Sequence, residues 1–133
     1  MTTYASSANL IREEQLAGGF FADWPIKPTP ERHLDILRRS YAVELAVDQE
    51  QVIGFATAIS DDVMSAYIPF LEVLPAHRER GIGSELIRRL VARLEGLYMV
   101  DLSCDADLEA FYERLGFSAI DRAMGLRRPD NLR

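Results

Sequence analysis

The stretch Leu71-Glu72-Val73-Leu74-Pro75-Ala76-His77-Arg78-Glu79-Arg80-Gly81-Ile82-Gly83-Ser84 decides how the rest of the chain is read. An apolar run ends at Pro75, a polar loop follows, and two glycines open a segment with helical spacing. Free N–H groups at a helix start point outward from the positive end of its dipole. Glycines without a Cβ let an anion come within hydrogen-bond distance of them. The pattern predicts a strand–loop–helix corner that binds a phosphate group. Gly81-Ile82-Gly83-Ser84 has no lysine, so the corner is not a nucleoside-triphosphate loop. Leu86 stands where a dinucleotide fingerprint has its third glycine. What remains is Arg78-x-x-Gly81-x-Gly83 behind Val73-x-Pro75.

Downstream, Leu86, Leu90 and Leu94, widened by Ile87 and Val91, predict a helix from Gly83 to Glu95 with Arg88, Arg89 and Arg93 toward solvent. Gly96 suits a left-handed stop. Leu97 to Ser103 reads as a buried strand. Asp105 then caps a short helix whose stripe is Leu108, Phe111 and Leu115, with Tyr112 one turn beyond Leu108 and Gly116 at its end. Phe117 to Asp121 and Met124 to Arg127 read as closing strands.

Upstream, Met64 to Leu74 predicts a strand that Pro69 interrupts. A residue without a donor there implies an edge, a bulge or a parting of neighbours. Val43, Leu45 and Val47 alternate with Ala42, Glu44 and Ala46, and Val52 to Ile59 returns, which predicts a hairpin with a four-residue connection over Asp48 to Gln51. Thr29 and Pro30 mark the cap and first position of a helix to Arg39. Asn9 to Glu13 reads as a short strand and Glu14 to Ala22 as a short helix. This order predicts an α/β fold, a mixed sheet with flanking helices.

Composition narrows the function. The 133 residues are 48% hydrophobic, which predicts one domain over 1–133 with a sizeable core. A single cysteine, Cys104, and two distant histidines, His33 and His77, argue against a disulfide framework and against a metal site. No apolar run of membrane-spanning length and no signal-peptide grammar occur, so the expected location is cytoplasmic, away from membranes. The formal charge is −6, Lys27 is the only lysine, and no basic stripe is interleaved with aromatics, which argues against nucleic acid as a partner.

Leu71 to Leu86, taken with Asp105 to Phe117 and especially Phe111-Tyr112-Glu113-Arg114-Leu115-Gly116-Phe117, resembles the GNAT superfamily of acyl-CoA-dependent N-acetyltransferases. The motifs cover about the C-terminal half, and the element order extends the likeness to most of the chain. The resemblance implies a mostly antiparallel sheet whose central parallel strands splay apart to admit the pantetheine arm, with Pro69 at the break. It implies acetyl-CoA as cosubstrate and a small-molecule or peptide amine as acceptor. Homodimers are common in that superfamily. Arg78, Glu79, Arg80, Gly81, Ile82, Gly83 and Ser84 would cradle the pyrophosphate. Leu71, Glu72 and Val73 would lie along the pantetheine, and Tyr112 beside the thioester sulfur. Two departures stand out: Asp105 replaces a frequent asparagine, and Glu79 a frequent glycine.

Acetyl transfer needs a neutral amine, a polarised carbonyl and a stabilised leaving thiolate. The Leu71 backbone N–H is expected to polarise the carbonyl and Tyr112 to donate a hydrogen bond to the sulfur. Glu72 is a candidate base, although alternation turns it away from the face of Leu71 and Val73. Glu44 and Tyr67 are further strand candidates, and water is an equal acceptor. Cys104 has no histidine to activate it and reads as a half-buried structural thiol. His77 reads as an exposed loop residue. Trp24, Phe20 and Phe21 are read either as an acceptor-pocket wall or as core. The alternative to an enzyme is a non-catalytic acyl-CoA-binding module that uses the same corner.

Overall fold

The computed structural model describes residues 1–120 and 122–133. Its strands are β1 (Thr3–Ala5), β2 (Ala42–Asp48), β3 (Gln51–Ser60), β4 (Ser65–Val73) and β5 (Met99–Asp101). Its α-helices are α1 (Pro30–Arg39), α2 (Ile82–Ala92) and α3 (Glu109–Glu113). The strands form one sheet in the order β1-β2-β3-β4-β5, antiparallel except for the parallel pair β4–β5. This is the mixed α/β architecture expected, with the parallel pair at one edge of the described sheet.

β2 and β3 are buried along both faces because helices cover the sheet on each side. On one side Leu86, Ile87, Leu90 and Leu94 pack over Ala56, Ala58 and Ile68, with Tyr112 in the same cluster. On the other, Leu34 and Leu37 of α1 meet Phe20, Phe21 and Phe55. Thr29 caps α1, its Oγ1 accepting from Arg32 N–H at 3.2 Å.

Several boundaries differ from the sequence reading, each for a local reason. The hairpin closes over two residues, Gln49 and Glu50, with φ of 49° and 63°, while Asp48 still pairs with Gln51. Strand twist favours that tight turn even without glycine. The N-terminal strand is Thr3–Ala5, not Asn9 to Glu13, and only a 3₁₀ turn, Glu13–Leu16, forms within the expected Glu14 to Ala22 helix. Gly96 is not left-handed; α2 ends at Ala92, with Arg93 as its cap. Gly116 does stop α3, at φ 99°. Residues 117–120 and 122–127 carry no strand, and Asp121 lies outside the described residues.

Arg93 does not face solvent as expected. Its Nη1 donates to the buried Glu44 Oε2 at 2.8 Å and to Val43 O at 2.7 Å, and Ser6 Oγ donates to Glu44 Oε1 at 3.0 Å. A fully buried carboxyl group needs such partners, so Glu44 is a structural residue committed to Arg93 and Ser6.

Pro69 acts as the sequence suggested. Thr57 pairs with Phe70 and Ile59 with Tyr67, so Ala58 faces two residues, Ile68 and Pro69. That bulge falls where β4 loses its other neighbour. β4 and β5 pair only over Ser65–Tyr67 with Met99–Asp101, and beyond them the two strands part.

Candidate active site

The parting of β4 from β5 leaves one edge of Ile68–Val73 open. Leu74 N–H donates to Ile53 O at 2.8 Å. Alternation along an antiparallel ladder then turns the backbone groups of Glu72 and Phe70 toward β3, and those of Leu71 and Val73 toward the open edge. Arg78 supports this geometry, because its Nε donates to Val73 O at 2.8 Å. The split thus presents outward amides at Leu71 and Val73, with one outward carbonyl already held by Arg78.

The corner follows. Pro75–His77 forms a 3₁₀ turn, Glu79 and Gly81 take φ of 63° and 79°, and α2 begins at Ile82. The first backbone hydrogen bond at this end is Glu85 N–H to Gly81 O, 3.1 Å. The amides of Ile82, Gly83 and Ser84 therefore have no backbone partner, and the dipole adds positive charge there. A left-handed Glu79 explains why a glycine would be the easier residue at that position. Arg80 Nη1 lies 2.8 Å from His77 Nδ1, so His77 is a half-buried brace of the loop.

Gly83 is informative through what surrounds it. A Cβ there would lie 3.6 Å from Phe111, 3.8 Å from Val73 and 3.9 Å from Leu71, all ordinary contacts. Nothing in the protein demands a glycine at this place. The bare backbone matches a cradle for a bulky anionic group, and the residues present fit a diphosphate.

α3 contributes Phe111 and Tyr112 to the cluster that holds Leu71 and Val73, and Tyr112 also borders the adjoining cavity. Tyr112 is 8% exposed, and its hydroxyl has no hydrogen-bond partner among the described residues. Burial, with a smaller contribution from Cys104, pushes its pKa up to about 12. The phenol stays protonated and can donate. Cys104 is exposed, not half-buried as expected, and burial plus Glu109, Asp105 and Asp107 raise its pKa, the opposite of an activated nucleophile. Asp105 is extended at the start of the 3₁₀ turn Ala106–Leu108, but its side chain makes no cap bond.

Glu72 does lie on the other face from Leu71 and Val73. Phe21 N–H donates to its two oxygens at 2.9 and 3.2 Å, and burial raises its pKa despite that bond. The sequence reading missed this amide. Gly18-Gly19 marks the turn that delivers it, with Gly19 at φ 107° and Phe21 itself at 63°. Phe20 and Phe21 are buried in the aromatic core, whereas Trp24, 38% exposed, packs on Phe70. Tyr67 Oη donates to Ser103 Oγ at 2.9 Å, a side-chain strap just where β4 and β5 part.

Beside the split, a cavity of about 590 Å³ is bordered by Tyr67, Val100, Leu102, Cys104, Tyr112 and residues 117–120 and 122–124. The site residues named from sequence are therefore brought to two adjoining features. The Leu71–Ser84 set lines the open edge and the corner, and Tyr112 stands where the split meets the cavity. Glu44 is removed from both.

Comparisons with known proteins agree with this geometry. The family model described as Acetyltransferase (GNAT) family matches residues 10–117. A crystal structure of a candidate acetyltransferase from Deinococcus radiodurans R1 superimposes with a TM-score of 0.93 at 47% identity, covering 98% of this chain and 91% of that one. Histone acetyltransferase TAP1 of Glycine max is 33% identical over 88 residues, 65% of this chain and 38% of its own length. GCN5-related N-acetyltransferase 3, chloroplastic, of Arabidopsis thaliana is 35% identical over 86 residues, 63% of this chain and 35% of its own. The chain thus spans little more than a third of the length of these curated relatives.

Proposed function

The chain belongs to the acetyltransferase (GNAT) family, and from that footing we propose that it transfers an acetyl group from acetyl-CoA to a primary amine by direct attack on the thioester. The observation that carries the reading is the continuous run of unpartnered donors around the split. It passes from the Leu71 and Val73 edge amides to those of Ile82, Gly83 and Ser84, with Tyr112 in the cluster that packs Leu71 and Val73.

The residues act in a simple order. The corner amides hold the pyrophosphate, aided by the helix dipole and by the Arg78 and Arg80 guanidiniums. The Leu71 amide polarises the carbonyl, an oxyanion role that needs no side chain. Acetyl-CoA supplies the activated acyl carbon. As the amine nitrogen bonds to that carbon and the C–S bond breaks, Tyr112 donates a hydrogen bond to the departing sulfur. A phenol near pKa 12 is a weaker acid than a thiol near ~8.5, so donation without full proton transfer suffices. Glu72, with its raised pKa, is the carboxylate best set to take the proton from an amine approaching from the Phe21 side. No described helix is long and apolar enough to cross a membrane, and an acidic chain with one exposed thiol suits a reducing compartment such as the cytoplasm.

Incubation with acetyl-CoA and a panel of amines and peptides, read by mass shift, tests this reading. Acetylated product with release of free thiol is expected. Tight CoA binding with no acetylated acceptor in the panel would favour the non-catalytic acyl-CoA module instead.

A further inference from the structure

A second cavity, of about 130 Å³, lies on the α1 side of the sheet beside Phe21. The exposed Lys27 and the half-buried Gly19 share its wall with the buried Phe20, Phe21, Pro28 and His33, so it leads from the surface into the core. His33 is 1% exposed, and its Nε2 has no hydrogen-bond partner among the described residues. The rings of Phe20, Phe21 and Phe55 hold the imidazole at centroid distances of 5.1, 4.9 and 4.4 Å, so it is not free to swing toward a partner. A buried polar atom left in this state is unfavourable unless something from outside the chain answers it.

Charge selects the occupant. In a chain whose net charge is −6, this wall holds one cation, the only lysine, and no carboxylate. Lys27 forms no ion pair among the described residues. The carboxylates gather instead at the backbone of Phe21. Its N–H donates to Glu72 at 2.9 and 3.2 Å, and Asp23 is near enough to act on the same carboxyl group. Lys27 and Arg78 are felt there too, so the two poles are neighbours. Phe21 thus stands between them, its ring in the wall of the cationic pocket and its amide on the acidic side. A ligand with an amine at one end and a carboxylate at the other matches both poles.

We infer that the Lys27–His33 pocket seats the carboxylate of the acceptor, and that the acceptor is a small amino acid whose amine lies at Glu72. The inference rests on the proposed acetyl transfer. One carboxylate oxygen accepts from Lys27 Nζ and the other from His33 Nε2, the neutral imidazole carrying its single proton there. Burial keeps that ring uncharged, with a pKa of about 4, so the proton is shared in a hydrogen bond and not given up. At ~30 Å³ per water the cavity has room for about four waters, which suits a carboxylate with one or two methylenes and excludes a sugar ring. The two donors offset the cost of taking the carboxylate out of water, and the Phe20 and Phe21 rings cover its stem. A diamine would set its second cation against Lys27 and is rejected.

A matched series tests the pocket. The protein is given acetyl-CoA with glycine, β-alanine or 4-aminobutyrate, each beside the alkylamine of equal chain length. For the amino acid whose length fits, kcat/KM should exceed that of its alkylamine by roughly tenfold or more. Lys27→Met should bring this ratio close to one, and Lys27→Arg should restore most of it. Equal rates for acid and alkylamine throughout the series would overturn the carboxylate seat and leave acetyl transfer standing. Failure to acetylate any member would count against acetyl transfer itself, and the pocket is then read without chemistry. The chain has only two histidines, so His77→Asn identifies the His33 ring signals by NMR. Without acetyl-CoA, 4-aminobutyrate should move those signals in the wild-type chain and not in Lys27→Met, while butylamine leaves them in place. An unmoved His33, or equal movement with butylamine, sinks the idea whatever the acetylation series gives.

Discussion

The two strands that frame the split are built differently. β4 is nine residues long and paired with β3 along most of its length. Its side chains are gripped from both faces, Leu71 and Val73 by the α2 cluster and Glu72 by Phe21. β5 has three residues, pairs with β4 only through Ser65–Tyr67, and has no strand partner on its far side among the described residues. In the proposed reaction the long strand carries the backbone donors that hold the thioester. The slight strand borders the cavity where the proposed reaction would admit its acceptor. Preorganised dipoles belong on the wall that cannot move, and selectivity on the wall that can.

Substitutions on either side of the split test that division. The largest effect is expected for Tyr112→Phe, in the cluster that packs Leu71 and Val73. Its hydroxyl makes no hydrogen bond among the described residues, so stability should hold, while kcat falls by roughly 10³ from loss of a leaving-group donor. Steady-state kinetics beside a melting curve check this, and an unchanged kcat would remove Tyr112 from the chemistry.

His33 tests the rigid side from beneath. It is buried among Phe20, Phe21 and Phe55, and burial pulls its pKa down to about 4. The unfolded chain takes up this proton near pH 6.5 and the folded chain only near 4. Stability from this group is therefore complete above pH 6.5 and is lost as pH falls to 4, about 3 kcal/mol in all. His33→Phe, with a cavity of about 130 Å³ alongside to take the ring, should flatten the stability profile in that window. Denaturant titrations at pH 4 and 7 measure it, and an equal acid loss in the variant would assign the sensitivity to other groups.

Gly83→Ala sets fold against function at one atom. The added methyl meets only ordinary contacts and improves helix propensity, so stability should rise by about 1 kcal/mol. The same methyl intrudes where the diphosphate is held, and CoA affinity should fall by roughly tenfold, or 1.4 kcal/mol. Calorimetric titration with CoA decides between a cradle and an ordinary helix start. The smallest effect is expected at Glu79→Gly, which relieves a left-handed φ of 63° and removes an anionic side chain beside the corner. A gain of about 1 kcal/mol in stability with severalfold tighter CoA binding should follow.

The same contrast explains what could be read beforehand. The hairpin, Pro30–Arg39, the Pro69 bulge and the glycine corner all announce themselves locally, through period, caps or a missing donor. Phe21 and Arg93 do not. One presents a backbone amide to Glu72 across 51 residues, and the other reaches a buried carboxylate 49 residues away. A hydrogen bond between distant segments leaves no periodic trace. Of the two expected closing strands, Met124 to Arg127 does alternate, Met124 and Leu126 with Gly125 and Arg127, but it has no strand partner among the described residues. Alternation reports a wish to pair and is silent on who answers it.

Arg93 also has a mechanical consequence. It clamps the far end of α2 to β2 through Val43 and Glu44, while the near end stands over the corner with its amides bare. The helix is in effect a beam fixed at its base, unable to slide toward an arriving anion or back away from it. Any adjustment must be absorbed by the short hinge of residues 78–81, whose two left-handed positions already bend it into shape.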